Sequence, residues 1–75
     1  MDNKPGRARR LAALVTTAMT DAGSNENALA EATGIPRSTL RRKLRTGGFL
    51  TTELFDITDE LHLDVVALIT EASAA

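Results

Sequence analysis

Five cations crowd into nine positions of this chain: Arg37, Arg41, Arg42, Lys43 and Arg45. Guanidinium groups do two jobs well. They hydrogen-bond in pairs to planar acceptors such as the O6/N7 edge of guanine, and they pair with phosphate. Counted at about 100° per residue, Leu40 and Leu44 share one face of a helix through this stretch, with Ser38, Arg41, Arg42 and Arg45 opposite. Thr39 and Lys43 take one flank and Arg37 the other. A helix of that length spans roughly 15 Å, which suits a B-DNA major groove about 12 Å wide. Arg37, Ser38, Thr39, Arg41 and Arg42 are therefore expected to reach base edges. Lys43, Arg45 and Thr46 are expected on phosphates.

A second basic cluster, Lys4, Arg7, Arg9 and Arg10, lies near the start of the chain. Cations at a helix N-terminus oppose the macrodipole, at about 0.3–1 kcal/mol each, so their placement points to a use. Arg7, Arg9 and Arg10 would join the phosphate contacts, or residues 1–6 would form a flexible basic arm beside the minor groove. A solubilising tail is the plainer alternative.

Charge is segregated on a larger scale. Residues 1–50 hold all nine Lys and Arg against four acids, whereas residues 51–75 hold six acids and no Lys or Arg. The formal net charge of −1 hides a dipole whose cationic pole can steer toward a polyanion. Other chemistries are poorly served. Without cysteine there are no disulfides and no thiolate ligands or nucleophiles, and a single histidine leaves no His-cluster metal site. No nucleophile, base and metal-ligand set is assembled by spacing, so neither catalysis nor a cofactor, metal or small-molecule ligand is expected. No stretch approaches the roughly 20 apolar residues of a membrane span.

Seventy-five residues allow one domain, placed at 7–75, and an interior drawn from Ala and Leu with two Phe. Apolar spacing and stop signals predict an all-α fold of five helices, at about 7–22, 25–33, 36–46, 52–62 and 64–73. The first carries Leu11, Leu14, Val15, Ala18, Met19 and Ala22 on one face and ends at Gly23. Ser24 or Asn25 caps the second, which carries Ala28, Leu29 and Ala32 and stops at Gly34. Pro36 opens the third, where its missing N–H does no harm, and Gly47-Gly48 closes it. Thr51 or Thr52 caps the fourth, with Leu54, Ile57, Thr58 and Leu61 inward. Asp64 caps the fifth. Thr58 is expected to bond the carbonyl one turn back.

The segment from Leu29 to Leu44 has the sterics of a helix-turn-helix. Gly34 can take the positive φ of a tight turn, Ala30 lets the helices cross closely, and Leu29, Ile35, Leu40 and Leu44 close the wedge. The pattern Leu29-Ala30, three residues, then Gly34-Ile35-Pro36-Arg37-Ser38-Thr39-Leu40 resembles the phage lambda repressor/Cro-like helix-turn-helix family. Phe49–Ile69 is similar to that family's fourth and fifth helices, so the likeness covers about residues 8–72. The stretch GIPRSTLRRKL also resembles the helix-turn-helix ends of site-specific recombinases. The family resemblance implies a five-helix lambda-repressor-like bundle and a sequence-specific regulator of transcription on double-stranded DNA. It further implies a cytoplasmic location and a homodimer, formed in solution or only on DNA. Two positions depart from the family: Pro36 stands where a polar cap is common, and His62 where glycine is. The second asks His62 for a left-handed conformation, which histidine tolerates better than most residues.

Val65, Val66, Leu68 and Ile69 make the fifth helix wider in apolar residues than one packing stripe, so they are the candidates for a dimer seam. A simple cap on the bundle is the alternative. Competing functions are an excisionase-like architectural factor on DNA and a protein-interaction module such as an antitoxin.

Overall fold

The computed structural model describes residues 5–74, which form five α-helices and no strand. They are α1 (Pro5–Asp21), α2 (Glu26–Thr33), α3 (Arg37–Thr46), α4 (Thr51–Glu60) and α5 (Val65–Ser73). Pro5 and Gly6, expected in a flexible arm, belong to the first turn of α1. A proline fits there because its absent N–H would have no intrahelical acceptor. The rest of the expected arm, residues 1–4, lies outside the described residues.

Local cap chemistry sets most helix ends. Gly23 turns left-handed at φ 73°, which lets the Ser24 amide donate back to the Met19 carbonyl. Asn25 caps α2, its Oδ1 accepting from the Ala28 amide at 2.9 Å. Gly34, at φ 78°, donates to the Ala30 carbonyl and so ends α2, and Ile35 and Pro36 lead into α3. His62 takes the left-handed conformation asked of it, φ 58°, and the following Leu63 amide reaches the Thr58 carbonyl at 2.7 Å. Asp64 caps α5 by accepting from the Val66 and Ala67 amides.

The start of α4 departs from expectation. Leu50, not Thr51 or Thr52, occupies the cap position, and its amide donates to Glu53 Oε1 at 2.8 Å. A carboxylate three residues into the helix thus does part of what a hydroxyl cap would have done.

One core holds the helices together. Val15, Leu29, Leu40 and Ile57 are fully buried at its centre, each worth about 1.5–3 kcal/mol of transfer free energy. α1 lies against α3 and α5, α2 against α3 and α4, and α4 against α5. Leu54, Ile57, Thr58 and Leu61 are inward as expected, and the Thr58 hydroxyl bonds the Leu54 carbonyl at 2.8 Å. In α1 the deepest small residue is Ala12, which the spacing had not singled out, while Leu11 and Leu14 stay half-buried; Ala22, expected on the inward face, lies just past the helix and is exposed. Ala28 and Ala32 of α2 also face outward.

Gly47 closes α3 at φ 82° and is itself buried against α1. A Cβ built on it would fall 1.8 Å from the Ala8 carbonyl oxygen. The backbones of α1's beginning and α3's end therefore meet with no side chain between them.

Candidate nucleic-acid interface

Leu40 and Leu44 anchor α3 from below, Leu40 with no exposed surface at all. Leu29, Ala30 and Ile35 are buried around them, as the wedge requires. The opposite face carries Arg37, Ser38, Arg41, Arg42, Arg45 and Thr46, all exposed, with Thr39 half-buried at the flank. The arginine row thus projects from a short rigid cylinder. The Thr46 hydroxyl returns to the Arg42 carbonyl of its own helix at 3.1 Å.

Lys43 overturns its expected role on a phosphate. Its side chain is turned into the protein, and Nζ donates to Glu53 Oε1 at 2.6 Å, with only 11% and 16% of the two side chains exposed. The reason is positional. Residue 43 sits beside Leu44 and one turn past Leu40, on the flank of α3 that meets the start of α4. Burial pushes the Glu53 carboxyl up. The hydrogen bonds from the Lys43 ammonium and the Leu50 amide, with the Lys43 and Arg42 charges, outweigh that and hold it below the ordinary carboxylate value.

The start of α2 faces α3 across an open cleft of about 370 Å³. Two of the candidate base-reading side chains are engaged there. Arg37 Nη1 donates to Asn27 Oδ1 at 2.6 Å, and Arg41 Nε donates to Glu26 Oε1 at 3.1 Å. Sequence reasoning missed both acceptors. Neither Glu26 nor Asn27 is singled out by spacing or cap chemistry. Nothing local links them to residues ten and fifteen positions on.

The meeting of Ala8 with Gly47 brings Arg7 and Arg9, both exposed neighbours of Ala8 in the chain, beside the end of α3. Two members of the second basic cluster, Arg7 and Arg9, therefore stand near the arginine-bearing helix. Arg10 goes elsewhere: its Nη1 donates to the Ala74 carbonyl beyond the end of α5. A cation suits that negative helix terminus.

On α5 the expected seam narrows. Leu68 is buried in the core and Val65 is half-buried against it, because both lie on the stripe that faces the bundle. Val66 and Ile69 remain outside, 68% and 44% exposed. Leu50 and Phe55 are also exposed, and the spacing had not marked them. Among the described residues no group of three or more His, Cys, Asp or Glu side chains is arranged to hold a metal ion. No described helix is long and apolar enough to cross a membrane. Comparison with protein-family models, curated proteins and solved structures found no match.

Proposed function

We propose that the chain is a sequence-specific double-stranded-DNA-binding regulator of transcription, a small lambda-repressor/Cro-like helix-turn-helix domain with α2 and α3 as the motif. The observation that carries this reading is the exposed row of Arg37, Arg41, Arg42 and Arg45 on a helix whose other face is anchored by Leu40 and Leu44. α3 enters the major groove, where Arg37, Ser38, Thr39, Arg41 and Arg42 are placed to meet base edges. Arg45, with Arg7 and Arg9 alongside, neutralises phosphates, and the Thr46 hydroxyl hydrogen-bonds one. Lys43 has no part in this and Arg10 a lesser one. Regulation follows from occupying promoter DNA. A homodimer formed through Val66 and Ile69 of α5 would set two recognition helices on half-sites about 34 Å apart.

Selection from random duplex DNA tests the reading. The wild-type chain should enrich one consensus with two-fold symmetry, and Arg41→Ala should cost about 1–3 kcal/mol on it and relax one position. Arg45→Ala should weaken every duplex alike and reduce the salt slope by about one. Retention of random sequences only would remove the sequence-specific reading.

The exposed Phe55 lies among Asp56, Asp59 and Glu60 on α4, which favours a protein partner as the second reading. Negligible DNA affinity at about 0.15 M salt would decide for it.

A further inference from the structure

We infer that Glu26 is a positioning residue that aims Arg41 at guanine, so that an acid on α2 helps set the sequence preference of α3. This rests on the DNA-binding reading above. Glu26 Oε1 accepts a hydrogen bond from the Nε–H of Arg41 at 3.1 Å, with the two side chains 36% and 59% exposed. The contact occupies one edge of the guanidinium only. Among the described residues neither Nη group of Arg41 makes a hydrogen bond. The free end-on fork is the part of the side chain whose two donors match guanine O6 and N7. Holding the stem before DNA arrives reduces the side-chain freedom that must be lost on binding.

A carboxylate beside a polyanion is otherwise unfavourable, and that sharpens the discrimination. When Arg41 meets guanine end-on, its Nε stays on Glu26 and the carboxylate remains neutralised. When the base pair offers no such edge and Arg41 swings toward a phosphate, Glu26 is left charged next to the backbone. The wrong sequence is thus penalised as well as the right one favoured. Asn27 also accepts from Arg37, at 2.6 Å, but through Nη1, so it occupies one donor of the fork itself, and as a neutral acceptor it lacks the repulsive half of the device.

The test measures affinity by fluorescence anisotropy for Glu26→Ala, Glu26→Gln, Arg41→Ala and the Glu26→Ala/Arg41→Ala double variant. The probes are the selected duplex, its single-base-pair variants and a random duplex, with thermal melts of each protein alongside. Glu26→Ala should lower the preference for guanine at one position about tenfold and leave the other positions within about twofold. Glu26→Gln, which keeps an acceptor on the same stem, should fall between it and the wild type. On the Arg41→Ala background the same Glu26→Ala change should shift that preference by less than about twofold. A preference ratio at one base pair does not move when a variant is merely less stable. If Glu26→Ala changes affinity by the same factor on every duplex, or acts equally with and without the Arg41 guanidinium, the positioning role is overturned while the DNA reading stands. A wild-type chain that shows no preference among duplexes overturns both.

Discussion

Gly47→Ala should leave the chain largely unfolded in water at 25 °C. Two costs combine at this residue. Its φ of 82° is a left-handed conformation that costs a residue with a Cβ about 1–2 kcal/mol. The added carbon would also lie 1.8 Å from the Ala8 carbonyl oxygen and 2.4 Å from the carbonyl carbon, and both are backbone atoms that no rotamer change can move. Forcing the start of α1 away from α3 costs about 1–3 kcal/mol more by the usual scale of overpacking. The sum approaches the whole of the roughly 3–5 kcal/mol that a single core at this size supplies. Gly34→Ala is the control. At φ 78° it meets the same conformational cost, yet nothing lies within 4 Å of the new carbon, so a loss of about 1–2 kcal/mol is expected. Urea unfolding followed by circular dichroism compares the two, and equal losses would show that the close approach of Ala8 has no energetic weight.

Lys43→Met should destabilise the fold by about 2–3 kcal/mol at neutral pH, since it keeps the stem's volume but strands a mostly buried carboxylate. Its effect also has a pH signature. Because the folded Glu53 carboxyl is held below the ordinary value of 4.5, the stabilisation it provides is complete above that value and is lost as pH falls through the folded one. The gap between wild type and Glu53→Gln should therefore be widest near neutrality and shrink on acidification below about pH 4.5. Unfolding free energies at pH 7 and pH 3 decide this, and a gap that stays constant would exclude the linkage. Whatever affinity the chain has for DNA should keep its salt slope in Lys43→Met, unlike Arg45→Ala, because the Lys43 ammonium is already committed inside.

Features of local origin were legible in the sequence. Gly23, Gly34, His62 and Asp64 terminate or cap helices through chemistry contained within a few residues, and the spacing of Leu40 and Leu44 identifies the buried face of α3. What escaped depends on how helices cross. Lys43 was expected outward, and Leu68 was left between a dimer seam and a cap on the bundle, because period alone does not say which flank of a helix a neighbour will cover. The partners of Arg37 and Arg41 were invisible for the same reason. Their acceptors come within reach only once Gly34 has folded α2 back across α3. The cap of α4 was misplaced by one or two residues because a hydroxyl was expected to cap it, whereas the Glu53 carboxylate serves the Leu50 amide from inside the helix.

The bare-backbone junction of Ala8 with Gly47 also governs how the molecule breathes. Terminal helix turns ordinarily fray on their own, exchanging amide hydrogens with solvent far more often than the interior does. Here the opening turn of α1 cannot peel away without uncovering the end of α3, so the hydrogen-bonded amides that follow that turn, from Arg9 on, should surrender their protons together with those at the end of α3. An edge that looks like a loose end of the chain belongs, in exchange kinetics, to the same cooperative unit as the arginine-bearing helix.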